Sequence, residues 1–505
     1  MVKKITLFIL SFVCLAVQAQ QWEWDSIISS TYSPVVVKNH TNEVFTFEFH
    51  GSELKKYNST GKFIWAKSFN GSLYNVSFDL TDNIYITGIF SNSLTVDSVT
   101  LSSKGDDDIF ILKLTPSQNM VWLHQIGSIG KDGAGDISIK ENKIYVTGAT
   151  LDTSLFDQFL FPKKTCLDMF IARYDMNANL EKVKFAEQPI PDPYNGSIGC
   201  EIKNDALGNV IVLAAINGQI KIDTTIINAG YSYYIVKFDT ALNLLWNRQA
   251  TIGLGCGAKC LRVNSIGDVL LTANYSGHYF QSGYVRRISF NGDTMQTFFT
   301  ESMGFVYGLD LDSLDNIYFT GIEHTWSYSG NPPYEYYFKT GKLNSTGNLI
   351  WLLQDSSLSY REGFSIASLS NNSLFISGRF AGKIVLYDTL FGMSGVNCFL
   401  AILNMNSTTG TVELSSDENN LEIFPNPSSG IFTINLHNCR DVKICVYDVL
   451  GNCLLNKVYV NDVSPMINLS NQPKGIYFLE IVSYPSTQGF EGQSGERVVK
   501  KIVLQ

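Results

Sequence analysis

"NSTGKFIW", Asn58–Trp65, returns far along the same chain as "NSTGNLIW", Asn344–Trp351. Each octapeptide joins a polar turn to an apolar run that ends in tryptophan, and the near-identity marks an internal duplication. Self-similarity is the first thing to trace in a long chain without obvious boundaries. Working outward, one unit recurs: an alternating segment, a polar turn, a second strand often ending in glycine, a variable loop, a third apolar strand, and a turn leading to the aromatic strand. The second strand is "NIYITGIF" (Asn83–Phe90), "KIYVTGAT" (Lys143–Thr150), "NVIVLAAI" (Asn209–Ile216), "DVLLTANY" (Asp268–Tyr275), "NIYFTGIE" (Asn316–Glu323) and "SLFISGRF" (Ser373–Phe380). The third is "DIFILKL" (Asp108–Leu114), "DMFIARY" (Asp168–Tyr174), "YYIVKF" (Tyr233–Phe238) and "CFLAIL" (Cys398–Leu403). The aromatic strand carries Trp65, Trp122, Phe185, Trp246, Phe298 and Trp351.

The turns explain their own composition. "TDN", "DALGN", "NSIGD" and "SLDN" put Asn, Asp or Gly where tight hairpins need positive φ, so their carboxylates are read as structural. The repeated Trp or Phe is read as packing between neighbouring sheets, where an aromatic ring buries a large area. Units of roughly 50–60 residues with four short strands predict a β-propeller, whose ring protects strand edges. Trp24, in "QWEWDSII", is a further copy of the aromatic strand that precedes any first strand of its own. If it completes the last unit, the ring closes with seven blades and residues 22–28 contact residues 397–403. The short first unit, "SPVVVKNHTNEVFTFEFHGSELKKY", leaves six or eight blades as alternatives. The units resemble the bacterial β-propeller repeat family (SBBP-like), most closely at "IGKDGAGDISIKENKIYVTGAT" (Ile129–Thr150) and the later "DMFIARYDMNANLEKVK". That resemblance, over roughly residues 22–403, implies architecture and no particular activity.

Composition agrees with an all-β chain. Of 505 residues, 45% are apolar, 13% aromatic and 16% charged, with 32 Phe and 25 Tyr, and aromatic residues suit pleated surfaces. The net charge of −9 argues against nucleic acid as a partner, which needs a basic footprint. Lys3 and Lys4 precede "ITLFILSFVCLAV", followed by "VQAQ" with Ala19 at the expected cut, the layout of a secretory signal over residues 1–19. The run is too short for a comfortable membrane span, no other stretch is long and apolar enough, and bulky Val13 before Cys14 disfavours lipoprotein attachment. Eight cysteines follow the signal. An even number permits disulfides; Cys256 and Cys260 are the best local pair, weak as a metal site without a nearby His, and core burial or an occasional disulfide is the favoured reading.

The expected domains are a propeller over 20–405, a polar linker over 406–420, and a small antiparallel β-sandwich over 421–505. The last reads as short alternating segments such as "IFTINL", "KICVYDVLG" and "GIYFLEIV". Pro425 and Pro427 cannot donate to a sheet ladder, which places them at the boundary before a first strand beginning after Ser428. These pieces resemble the type A C-terminal sorting domain of the type IX secretion system. The resemblance is carried by Pro425, Asn426, Pro427 and Gly430, then Tyr447, Asp448 and Gly451, then Leu469, Gly475 and Tyr477, and by Lys500 and Lys501 near the end. The polar insert "YPSTQGFEGQSGER" (Tyr484–Arg497) and Cys439, Cys445 and Cys453 depart from the pattern. The resemblance implies export through the periplasm to the outer-membrane surface or medium, with the secretion machinery as a partner.

Catalytic motifs are not evident: the six histidines, His40, His50, His124, His278, His324 and His437, show no ligand spacing, and no catalytic residue is assigned. Asp106, Asp107 and Asp108, read as a loop before a strand, form a candidate calcium site on carboxylate density alone; no other cofactor is expected. The loops "PIPDPYNGSIG" (Pro189–Gly199) and "GNPPYEYYFKTG" (Gly330–Gly341) are candidate recognition surfaces. Asp-Ser/Thr-apolar triplets at Asp25 and Asp97 resemble bacterial O-glycosylation acceptors, though turn chemistry supplies them too. The leading expectation is a non-catalytic binding or adhesion module for an extracellular protein or glycan. A hydrolase or lyase with its site at the propeller channel, and a passive surface scaffold, are the alternatives. A carboxylate–histidine cluster at the channel mouth points to the enzyme, an aromatic platform to glycan binding, and a featureless polar channel to the scaffold.

Overall fold

The computed structural model describes residues 18–28, 33–156, 158–162, 166–189, 195–250, 258–276, 281–300, 304–325, 335–354, 360–370, 372–386, 389–408, 421–436, 441–448, 453–459, 464–484 and 496–504. Every regular element among them is a β-strand or bridge. The chain divides into two compact units, Met1–Thr409 and Gly410–Gln505.

The first unit contains seven antiparallel sheets among its described residues. Sheet I runs from Pro34–Lys38 to Phe63–Ser68, so the short first unit of the sequence is a complete four-stranded sheet. Sheet II starts at Ser72–Phe78 and ends at Met120–Gly127; sheet III starts at Gly133–Lys140, sheet IV at Gly196–Asn204, sheet V at Ala258–Val263 and sheet VI at Phe305–Leu311. Sheet VII takes three strands from Arg361–Ser368, Ser373–Val385 and Thr389–Thr408, and its fourth from Gln18–Ile28. The predicted strand exchange is therefore present, with Trp22 opposite Leu403 and Ile28 opposite Cys398. Cleavage after Ala19 would leave Trp22–Ile28 of this strand in place. A hairpin, Ser154–Phe156 and Phe159–Phe161, leaves sheet III and pairs with the outer strand of sheet II.

Successive sheets share apolar cores, and following them returns to the start. Phe45 and Phe78 join I to II, Tyr85 and Ile137 join II to III, and Ile171 and Val210 join III to IV. Ile235 and Leu261 join IV to V, Val285 and Val306 join V to VI, and Phe338 and Ile366 join VI to VII. Val36 and Tyr57 meet Phe375 and Leu400, which joins VII back to I. This closed ring of four-stranded sheets is a β-propeller.

The aromatic strand is the fourth of each four-stranded set, and several of its rings reach the next sheet. Trp246 donates from Nε1 to the Phe290 carbonyl of sheet V at 3.0 Å, and Trp122 does the same to Met176 of sheet III at 3.3 Å. The turn glycine of the opening motif explains why the octapeptide is so constrained. Gly61 has φ +81°, and a methyl group there would lie 2.5 Å from the Trp24 ring of sheet VII. Gly292 meets Trp246 and Gly347 meets Phe298 in the same way. Asn58 fixes the turn by accepting the backbone N–H groups of Thr60 at 3.0 Å and Lys62 at 2.8 Å.

The turn carboxylates are structural, as composition indicated. Asp79 accepts the N–H groups of Thr81 and Asn83, and Asp205 those of Leu207 and Asn209. Asp205 also holds Lys237, whose buried ammonium is 2.9 Å away and lies 3.8 Å from the Phe290 ring centre.

The inner strands are stitched together around the axis. Asn75 donates to Asp136, and Asp136 accepts from the Ile202 N–H at 2.9 Å and from Lys203. Glu201 accepts the Leu261 N–H at 2.8 Å, Arg262 pairs with Asp310 at 3.0 Å, and Asp310 accepts the Ser368 N–H at 2.8 Å. The Val36 N–H donates to Ser365 at 3.0 Å, and the His50 N–H to the Leu73 carbonyl at 3.0 Å, which completes the circuit.

The second unit is a sandwich of a three-stranded and a four-stranded sheet around Phe432, Ile434, Val442, Ile444, Leu479 and Ile502. Its first strand is Leu421–Phe424, which pairs with Ile431–Leu436. This corrects the sequence expectation: the two prolines lie in the connection between the first two strands, where their missing N–H groups cost no ladder bond, and not ahead of the first.

Gly61→Ala should lower stability by about 1–3 kcal/mol, combining left-handed strain with the ring contact. Gly230→Ala, at φ +56° but with nothing within 4 Å, should show the conformational part alone. Urea denaturation of the two variants checks this, and equal losses would rule out the ring contact.

Candidate site at the channel mouth

A propeller's inner strands run beside its central channel. In sheets II to VII each of these strands breaks register with its neighbour at the same place, near its start. The residues set at or beside the breaks are Tyr74, Gly135, Cys200, Cys260, Tyr307 and Phe364. A bulge of this kind bends the strand and re-aims a side chain. The sequence did carry a signal for it. The glycine that ends the second strand in "YITG" and "FISG" sits opposite the break, and a methyl group at Gly88 or Gly378 would lie 2.2 Å or 2.1 Å from the inner strand's carbonyl oxygen. The repeated Thr-Gly or Ser-Gly thus marks the bulge, a link that pattern reading alone did not make.

The mouth is unequal around its circumference. Sheets III, IV and V contribute Gly135, Cys200 and Cys260, all small, whereas sheets VI, VII and II contribute Tyr307, Phe364 and Tyr74. Burial pushes the Cys200 thiol up to about 11, so it is a poor nucleophile at neutral pH. Cys260 is a free thiol likewise raised by burial; Cys256 lies outside the described residues.

Tyr74 belongs to an aromatic cluster that the sequence reading missed. Its ring centre lies 4.5 Å from that of His50 and 4.8 Å from that of Phe49, and His50 and Phe49 are 4.3 Å apart. Phe49 is 45% exposed. Desolvation, helped by the charge of Lys131, lowers the His50 pKa, so its imidazole is neutral at neutral pH. Burial, with the charge of Asp107, pushes the Tyr74 phenol up to about 12. Asp107 pairs with Lys131 at 3.3 Å, and the lysine is exposed. The group thus combines a partly exposed ring surface with one carboxylate and one ammonium. Ile28, Pro34, Phe47, Glu48 and Lys55 line a cleft beside His50.

The aspartate triplet is placed differently from expectation. It lies within the strand Val99–Leu114, not in a loop, so successive side chains face opposite ways. Asp106 is exposed, Asp107 is engaged by Lys131 and Ser91, and Asp108 is buried, accepting the Lys104 N–H at 2.9 Å. Among the described residues no group of three or more His, Cys, Asp or Glu is arranged to hold a metal ion. Next to the triplet, Asp132 is buried and accepts from the Ser128 N–H at 2.7 Å, the Ser128 hydroxyl at 2.8 Å and the Leu151 N–H at 3.1 Å. Burial nevertheless pushes it up to about 7, with a further push from the charge of Asp108.

Other histidines lie elsewhere: His40 meets Asp82 in the turns at the far ends of the inner strands, and His124 packs edge-on against Trp122. His278 and His437, and residues 190–194 and 330–334 of the two candidate recognition loops, lie outside the described residues; the later parts of both candidates are not loop but belong to the strands Gly196–Asn204 and Glu335–Leu343. Asp97 sits at a hairpin tip with φ +51°, held by Lys67 and by the Met120 N–H, so turn geometry accounts for it.

In the second unit the motif residues fasten one hairpin to the final strand. Asn426 accepts the Val503 N–H at 2.9 Å, and the Ser428 N–H donates to the Val503 carbonyl at 2.9 Å. Gly430, at φ +138°, lies so close to Ser470 that a methyl group would be 2.7 Å from its Cα, and its carbonyl accepts the Leu469 N–H at 2.7 Å. Tyr477 is buried and donates to the Pro473 carbonyl, while Gly475 opens the strand that pairs with the last. Tyr447 and Asp448 close the strand from Asp441, and Lys500 and Lys501 stand in the final strand opposite Leu479 and Phe478. Gly451 lies outside the described residues.

Residues 422–489 match the family described as a secretion system C-terminal sorting domain. This indicates a secreted or cell-surface protein, and no helix among the described residues is long and apolar enough to cross a membrane. The endo-acting ulvan lyase of Formosa agariphila is 34% identical over 73 residues, a stretch covering 14% of this chain and 14% of that relative. Among solved structures, a PL25 ulvan lyase bound to -[GlcA(1-4)Rha3S]- aligns with TM-score 0.43 and 9% identity, over 74% of this chain and 98% of that one. A virginiamycin B lyase from Staphylococcus aureus aligns with TM-score 0.39 and 9% identity, over 76% and 99%.

An unfolded aspartate titrates near 3.8 and folded Asp132 near 7, so the folded chain holds an extra proton between those values. Its contribution is fully present below the lower value and is lost as pH rises to the upper one. Asp132→Asn should therefore flatten the fall in urea midpoint between about pH 4 and about pH 7. An unchanged slope would show that Asp132 ionises freely.

Proposed function

We propose that this protein is an exported β-propeller that binds a glycan at its channel mouth without turning it over. The observation that carries the reading is the Phe49–His50–Tyr74 ring cluster beside the Asp107–Lys131 pair. A sugar ring offers C–H faces to aromatic surfaces and hydroxyl groups to paired acceptors and donors, and a site of a few placed polar groups among apolar ones suits such a ligand. Among the described residues the mouth is not featureless, which weighs against the scaffold, and the ring surface beside His50 favours binding.

A uronate-directed lyase is the second reading, favoured by one specific arrangement. The neutral imidazole of His50 would serve as base, the protonated phenol of Tyr74 as acid, and Lys131 would neutralise the uronate carboxylate. The local likeness to an ulvan lyase makes ulvan the natural probe for both readings. With the full chain, binding predicts retention on immobilised ulvan that falls about tenfold or more in Phe49→Ala and Tyr74→Ala, with no new ultraviolet absorbance. Lyase action predicts a steady rise in the absorbance of the unsaturated uronate product, abolished in His50→Ala.

We propose further that residues 1–19 are a signal removed after Ala19, that 406–420 link the units, and that 421–505 carry the address read by the type IX machinery. Deleting 421–505 should leave the propeller in the periplasm, as fractionation of the expressing cells would show. Delivery to the surface or medium at the level of the full chain would refute the assignment.

A further inference from the structure

The bulge positions of sheets VI and VII carry a second ring surface at the same end of the inner strands as Tyr74. Phe305 and Tyr307 stack with centres 5.8 Å apart and planes inclined by 21°, and Tyr307 lies 6.2 Å from Phe364 at 33°. All three are half-buried. A polar group stands on sheet VII beside these rings. Glu362, only 3% exposed, accepts from the Tyr360 hydroxyl at 2.7 Å and from Arg379 Nε at 2.7 Å. Arg379 also reaches the Tyr360 oxygen at 3.3 Å, and its guanidinium lies 6.0 Å from that ring's centre. Burial raises the phenols of Tyr307 and Tyr360, and the charge of Glu362 raises both further, so both stay protonated, the Tyr360 proton being given to Glu362. The Arg379 fork keeps its remaining N–H groups on a partly exposed edge.

We propose that Phe305, Tyr307 and Phe364, with Arg379, form a second saccharide subsite that takes a pyranose ring by its C–H face and its hydroxyls through the guanidinium. The inference rests on the glycan-binding reading for its ligand class, but on different residues. The three half-buried rings give an apolar surface, and the Arg379 guanidinium, held in place by buried Glu362, supplies pre-organised donors. The first subsite stands on sheets I and II, so two contact points share one mouth. A glycan chain long enough to reach both binds the second intramolecularly, and affinity climbs with chain length once the span is reached.

The test is calorimetric titration of the full chain with size-fractionated ulvan oligosaccharides. In the unaltered protein, affinity should step up by about tenfold or more between short and long fractions. Tyr307→Ala and Phe364→Ala should remove that step while leaving the short fractions bound at Phe49–Tyr74. Because Arg379→Gln alone strands a buried carboxylate, the paired Glu362→Gln/Arg379→Gln variant is used, with thermal melting to confirm folding, and it should also lose the step. If these variants bind every fraction like the parent while Phe49→Ala and Tyr74→Ala fail, the second subsite is overturned and the first stands. If the sheet VI and VII variants lose binding while Phe49→Ala and Tyr74→Ala do not, the subsite stands and the reading of the first cluster falls. No binding at any length overturns both.

Discussion

A tryptophan lying against the turn glycine of the next sheet is the contact on which the ring depends. Trp24 on Gly61, Trp246 on Gly292 and Phe298 on Gly347 are versions of one joint. In these three the ring fits because the turn has no side chain, and the glycine also supplies the left-handed backbone; in sheets II, III and IV the same left-handed position is held by Gln118, Ala178 and Leu242. Where the joint is strongest it gathers further bonds: Trp246 and Lys237 both donate to the Phe290 carbonyl, and Lys237 closes on Asp205. A buried ammonium is tolerated there because it has a carboxylate, a carbonyl and an aromatic face around it.

The joint fixes the outer rim, and the inner strands answer a different constraint. Inner strands converging on an axis must bond to one another without forming a continuous sheet, and Asp136, Glu201, Arg262 and Asp310 meet that need with side chains instead of ladders. Their charges are spent on neighbours and on backbone N–H groups, so the middle of the channel is a structural belt. Freedom to face a ligand returns only above the belt, where the bulges release one residue per sheet. There the sequence has chosen rings on one side and small residues on the other, and the asymmetry is what gives the mouth a direction.

The sequence made the ring legible because its repeats are paid in turn chemistry and aromatic spacing, both local. Trp24 stood out as a copy without a unit of its own, and that phase argument located the pairing with Cys398–Leu403. The site was less legible. Phe49, His50 and Tyr74 come from two units, and nothing in either segment announces that a loop of sheet I meets the inner strand of sheet II. Bulges hide for a related reason: an extra residue in an alternating run looks like a small lapse of pattern unless the glycine opposite is read with it. The aspartate triplet misled in the other direction, since a hairpin that extends well past its sheet looks like a loop in the sequence. In the second unit, two prolines suggested a beginning, yet Leu421–Phe424 had already paired.

The strand from the start of the chain lies in the last sheet, between nothing and residues 398–408. Its partners are made last, so the ring stays an open arc until almost the whole unit exists. Contacts of such long sequence separation form slowly, and the Trp24–Gly61 joint waits for the same event, because Trp24 must be held by sheet VII before it can close on sheet I. One strand thus ties the two ends of the ring together, so a change at either end of the unit is felt at the same seam between sheets VII and I.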